Sequence, residues 1–432
     1  MSSYMAVLRL PFAARTFATA LIGRLSYGTV FLSLTLALAS GHGSVGRAGE
    51  VVAVFALSVA GLAPVRARLI DGHGVRRVLL PLALSYAAAL TGLAAATWRP
   101  GAPLWLLEAL ALAAGATAPP LGPTMRTLWR AMCGPDQALM QRAFSLDTVA
   151  EEVIGISGPL LVGLLILVAN PALGVLLSAA LVAGGTLAMM TSPVIGTVAA
   201  ARAENAPKAH KASKAPKNTE PSGKATRRKG SGHTLARILD PLSAAAGVGI
   251  GLGAQSLAIV AFAIHHHQPS AIALADAGMS AGSILGGLAY GAVSWRLPSR
   301  TRLPPLTAAL GLSIATAGLA PNIWVLTAIT TASGVFVSPL MTCAYLVADE
   351  LADEQSRTSA GMWVNNAFNA GSSSGYAAMG PALTRLPLGW CFTVAAAPVL
   401  LGAGVAQAWR RTHTGRRQEQ PATETAPEAV AV

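Results

Sequence analysis

"ARLIDGHGVRRVLL", residues 67–80, joins two apolar blocks through a short polar turn. Gly72 and Gly74 allow the chain to reverse tightly between two helices. Arg76 and Arg77 follow at a membrane boundary, where they reach phosphates or acids. Asp71 is an acid in a basic loop, so it is expected to have a partner elsewhere in the fold.

The flanking blocks, 50–70 and 78–97, are two of a longer series. Further spans are read at 16–38, 104–125, 145–168, 171–192, 241–264, 271–295, 303–320, 322–347, 358–382 and 388–409. Each is close to the roughly twenty residues that cross about 30 Å of hydrocarbon. Hydrophobic residues make up 53% of the chain and charged ones 11%, against about 25% charged in ordinary soluble domains. The chain therefore reads as an integral membrane protein. Its spans are helices, because a lone strand would leave backbone groups unpaired in lipid. Many are rich in Ala and Gly, which lets helices pack closely as a bundle. The first run is long enough to span and lacks a cleavage site, so it is read as a span. Cys133, Cys343 and Cys391 are scattered, without metal or disulfide spacing.

Orientation follows from the bases. With both termini inside, 27 of the 31 Lys and Arg residues fall on the cytosolic side. Only Arg47, Arg99 and Arg385 fall outside, and Arg24 lies within the first span. This is the positive-inside pattern. It accounts for the net charge of +13 without invoking nucleic acid.

Four regions are expected: a six-helix half (1–192), a basic cytosolic linker (193–240), a second half (241–409) and a cytosolic tail (410–432). Its stretch 201–233 is rich in Lys, Ala, Pro and Ser and lacks large apolar residues, so the linker is expected to be disordered. Its bases suit anionic head groups. The halves repeat each other. Pro120 and Pro339 are 219 residues apart, and Gly158-Pro159 and Gly380-Pro381 are 222 apart. Such a repeat marks a transporter with two similar halves.

The 67–80 loop resembles the signature between helices two and three of the major facilitator superfamily. Asp71, Gly74, Arg76 and Arg77 fit that signature, while Ala67 and Gly72 depart from it. The resemblance implies an all-α membrane protein of about twelve helices. Two six-helix bundles would be related by a pseudo-two-fold axis. It further implies that Asp71 meets the start of helix eleven, near Arg357 and Thr358, and steadies an outward-facing state. "GISGPLLVG" resembles part of the superfamily's drug-exporter motif through Gly155, Gly158, Pro159 and Gly163. Ala111 stands where those exporters carry an Arg in helix four.

Acids inside spans are costly and mark function or pairing. Asp147, Glu151, Gly155 and Gly158 fall on one helical stripe, with Glu152 turned about 100° away. The stripe is expected to pack on another helix or face a cavity. Glu151 and Glu152 call for protonation or a base, and Arg24 and Arg142 are the candidates. Adjacent acids also make it easier for one to hold a proton. Two readings stand: a coupling or substrate site, or an inner-mouth latch. Arg24, Tyr27, Asp276, Asn365 and Asn369 are further candidates for the cavity. His265, His266 and His267 are read as a polar loop, because adjacent histidines do not easily chelate one ion.

No phosphate loop or nucleophile–base set is present, so an enzyme is not expected and no cofactor or metal is called for. The expectation is a monomeric, proton-coupled exporter of a small molecule in the cytoplasmic membrane, surrounded by lipid. Uptake of a sugar or other polar nutrient is the second reading. A membrane sensor or scaffold with the same fold is the third.

Overall fold

The computed structural model describes residues 4–42, 45–99, 101–197, 238–268, 271–353 and 356–418. The linker residues 198–237 and the tail residues 419–432 lie outside them, and so does the expectation of disorder there.

A short helix, α1 (Tyr4–Leu8), precedes the first half. That half comprises α2 (Ala13–His42), α3 (Val45–His73), α4 (Val75–Thr97), α5 (Leu104–Thr117), α6 (Leu121–Cys133), α7 (Gln137–Ile166) and α8 (Pro171–Met190). The second half comprises α9 (Leu239–His265), α10 (Ala271–Ala292), α11 (Ser299–Ala317), α12 (Ile323–Leu351), α13 (Arg357–Leu383) and α14 (Leu388–Gln418). α14 continues to Gln418, into the region read from the sequence as the tail.

Ten spans among the described residues are long and apolar enough to cross a membrane. Sequence reading expected twelve. The other two positions are occupied by α11 and α13. α11 opens on basic residues and prolines, and α13 carries three asparagines and four serines. Both are nonetheless packed into the second bundle, α11 on α12 and α14, and α13 on α9.

The two halves repeat in their packing. α2 lies on α8 as α9 lies on α14, and α3 on α5 as α10 on α12. α4 packs on α8 and α5, as α11 packs on α14 and α12. α2 meets α7 as α9 meets α13. The halves touch through α7 on α10 and through α3 on α13, which are equivalent positions in the repeat.

Span four is broken. Pro119 and Pro120 have no N–H to offer, so the ladder of α5 stops at Thr117 and α6 restarts at Leu121. In lipid the freed carbonyls need donors. Buried Arg66 donates to those of Gly115 and Ala116, and to that of Val59 at 2.6 Å. Tyr27 donates to Pro119. The matching Pro339 leaves α12 continuous, so this feature of the repeat is not shared.

Glycine seams hold several helix pairs. Gly28 faces Gly158, and Gly23 faces Gly185. In the second half, Gly249 and Gly253 of α9 lie on Phe368 and Ser372 of α13. Of the motif glycines expected to pack, only Gly158 does so. A Cβ at Gly155, Gly163 or Gly380 would meet nothing within 4 Å. Pro159 and Pro381 are exposed.

Candidate functional site

Cross-half bonds close the face that the charge bias assigns to the cytosol. Gly74, at φ 88°, is the single residue between α3 and α4, while Gly72 remains helical. This turn delivers Asp71 to the first turn of α13. There Asp71 Oδ2 accepts from the Ser359 N–H at 3.0 Å and from the Ser359 hydroxyl. The carboxylate thus sits at a helix N-terminus, where an anion is favoured. Its partner is Ser359, one position beyond Thr358. Arg76 and Arg77 are exposed in the first turn of α4.

An equivalent contact closes the other side. Gln141 of α7 donates to the Tyr290 and Val293 carbonyls of α10 and its exit, both at 3.0 Å. Arg302 of α11 donates to Gln141 Oε1 at 2.8 Å and also to the Tyr290 hydroxyl. Arg130 of α6 pairs with Asp349 of α12. Tyr4 donates to the Leu288 carbonyl at 2.6 Å. Between Arg126, Tyr345, Asp349 and Arg357 there remains about 10 Å³ of free space, room for a single water.

Above this seal lies a buried charge network. Arg24 Nη1 of α2 pairs with Asp147 Oδ1 of α7 at 2.8 Å. Arg126 of α6 holds Asp147 Oδ2 at 3.0 Å through Nε and Glu151 Oε1 at 2.7 Å through Nη2. Asp147 is fully buried, whereas the Glu151 side chain is 35% exposed, so only the outer end of the network is open. Arg126 also stacks 3.4 Å above the Tyr345 ring of the opposite half. The Tyr345 hydroxyl donates to Asn365 Oδ1 at 3.3 Å. Two guanidiniums and two carboxylates balance, which is what makes such a group tolerable in hydrocarbon.

This corrects two expectations. Arg126, not Arg142, is the second base of the cluster; Arg126 had been assigned to a cytosolic loop. The acids are not at the inner mouth. α7 begins at Gln137 rather than near residue 145, which places Glu151 and Glu152 at the middle of a 30-residue helix. Arg24 is buried and turned into the cluster rather than reaching for the inner interface.

The remaining candidates separate. Glu152 is half-buried, and its Oε1 accepts from Ser283 of α10 at 2.9 Å. Tyr27 serves the span-four break. Asn365 joins the cluster through Tyr345, while Asn369 is exposed one turn outward. Asp276 is exposed near the outer end of α10, away from the network. Arg66 was missed by sequence reading; the Pro-Pro pair, which strands carbonyls, was the signal for it. Among the described residues no group of His, Cys, Asp and Glu could hold a metal ion.

Residues 241–432 match the family model of the Major Facilitator Superfamily. No curated protein sequence matches the chain. Among solved structures, a bacterial homologue of the iron transporter ferroportin in the outward-facing state superposes with a TM-score of 0.70 at 15% identity, covering 92% of this chain and 99% of that one. The human organic anion transporter MFSD10 (TETRAN) gives a TM-score of 0.65 at 14% identity, over 91% and 98% of the two chains. The Escherichia coli fucose:proton symporter FucP gives 0.59 at 13% identity, over 90% and 97%. The chain is a multi-pass membrane protein with the major facilitator transporter fold, and its second half matches that superfamily by sequence.

Proposed function

We propose that the protein moves a small molecule across the cytoplasmic membrane by alternating access, as a proton-coupled exporter. One observation carries this reading: an electroneutral Arg–carboxylate network at mid-depth, sealed on its inner side and reachable from its outer side. Asp71, with the turn at Gly74 and the bases Arg76 and Arg77, acts as the gating element of the inner seal. Arg24, Asp147, Arg126 and Glu151 form the latch whose rearrangement accompanies opening, with Tyr27 holding the broken span beside it. Asn365, Asn369 and Asp276 line the outer approach. The neighbours are named as a homologue of an iron transporter, an organic anion transporter and a fucose:proton symporter, so the fold leaves the substrate class open. Likeness to the exporter motif at Gly158 and Pro159 supports export.

The test uses purified full-length protein in liposomes that contain a pH-sensitive dye. A proton gradient is imposed, and lipophilic cations, organic anions, sugars and amino acids are added in turn. Proton flux driven by one compound class, and reduced in Asp71→Asn, supports the reading. Accumulation of labelled sugar together with protons would replace export with uptake. A chain that moves no compound and no proton under any gradient would return the sensor or scaffold reading.

A further inference from the structure

We propose that Glu152, rather than its neighbour Glu151, is the group that binds and releases the coupled proton, in a cradle made by Ser283 and Ser338 of the opposite half. The proposal rests on the proton-coupled reading above and assigns its carrier.

The two adjacent acids have divided surroundings. Glu151 is engaged by Arg126 at 2.7 Å, and Arg126 is shared with Asp147. Glu152 lies about 100° around the helix, and no Lys or Arg among the described residues pairs with it. Its partner is a hydroxyl: Ser283 donates at 2.9 Å, and Ser283 is in turn 2.8 Å from Ser338 of α12. Both serines belong to the second half and are buried. The groups around Glu152 are Glu151 on its own helix and Ser283 of α10, which contacts Ser338 of α12. None of these is a base, and Arg24, Arg126 and Arg130 are held by Asp147, Glu151 and Asp349.

Position adds a second argument. Inward of Glu152 the halves are in close contact. Ser145 donates to the Gly287 carbonyl, and a Cβ at Gly287 would lie 2.5 Å from Val149 and 2.8 Å from Ser338. Outward of it, Gly155 faces open space. Glu152 thus stands at the outer limit of the α7–α10 contact, where rocking of the halves must part it from Ser283. Asp276 is seven residues outward of Ser283 on α10, about 10 Å along the axis and nearly in line. It is exposed and gives a carboxylate for relay from the outer solution. In the outward-open state the proton reaches Glu152 by this side. When the inner ends separate, the Ser283 bond breaks and the proton leaves inward. No covalent bond changes.

The decisive measurement uses protons as the probe, so it needs no substrate. Full-length protein in lipid is taken through a pH step, and the carboxylic-acid C=O band is followed by difference infrared spectroscopy. The band is expected in wild type and in Glu151→Gln and is expected to be absent in Glu152→Gln. Ser283→Ala, which removes only a hydroxyl, should shift the band's frequency, and it carries the test should Glu152→Gln fold poorly. A band that persists in Glu152→Gln, or is unmoved in Ser283→Ala, overturns the assignment. In dye-loaded liposomes under an imposed pH gradient, Glu152→Gln should lose the proton flux that wild type shows, falling to the protein-free background. Substrate transport without proton flux in wild type would sink the coupled reading instead, whatever the infrared band does.

Discussion

At the scale of residues, the cost of the network can be stated. Asp147→Ala would leave two buried guanidiniums facing each other without their shared carboxylate. Breaking a buried pair by removing one partner costs about 3–5 kcal/mol. The expected result is a large drop in the thermal unfolding midpoint of the detergent-solubilised protein, followed by fluorescence. Glu151→Gln, at the open end, should lower it much less. The glycines offer a sharper contrast. A Cβ at Gly158 would lie closer to the Gly28 backbone than real Cβ atoms approach, so Gly158→Ala must push two helices apart. Such overpacking costs about 1–3 kcal/mol. Gly155→Ala, in open space three residues away, should be neutral or slightly stabilising, since Ala favours the helix. Equal effects in the same assay would contradict the packing described here. Arg24, Asp147 and Glu151 were legible in the sequence because charges are rare in apolar runs. Arg126 was not, because it follows a proline pair that looks like the end of a span, and only the fold shows the span continuing.

At the scale of elements, the inner seal is a set of separate latches. Tyr4 is the least expected of them. It precedes the first span, yet its hydroxyl reaches the Gly287 and Leu288 carbonyls and Ser145. Gly291 makes room for it, since a Cβ there would collide with the hydroxyl. Burial raises the Tyr4 pKa above that of a free tyrosine, which already keeps its proton at neutral pH, so the hydroxyl is a donor. Tyr4→Phe removes the donor and retains the ring. It should increase alkylation of a single cysteine placed on the inner face, with little change in stability. Unchanged labelling would reduce Tyr4 to a packing residue. A five-residue helix before a span carries no sequence signal for its partner, so this contact could not be foreseen. The meeting of Asp71 with α13 was foreseen within one residue, because the signature loop sets where the chain turns.

At the scale of the molecule, the repeat makes the seal two-sided. Asp71 on Ser359 and Gln141 on Tyr290 lie at equivalent corners of the interface between halves. Each supports the same closed inner face through different residues. Asp71→Asn and Gln141→Ala should each raise inner-face cysteine labelling, and the double variant should exceed either. A double variant no more labelled than one of the singles would mean that a single corner holds the seal. The twelve-position layout and the two halves were legible from block lengths and the spacing of the repeated Gly-Pro and Pro positions. The residues that meet between the halves were not, because those contacts join positions hundreds of residues apart in sequence.

The interruption of span four has a mechanical consequence. Thirteen residues of α6 carry Arg126, Thr127 and Arg130, which reach Tyr345, Thr358 and Asp349 across the interface. The outer segment is pinned by Arg66, and the joint between them is spanned by side-chain bonds rather than by a continuous backbone ladder. The inner segment is thus a short lever on a prebuilt pivot. It can swing its three contacts away together while the outer part of the same span stays where it is.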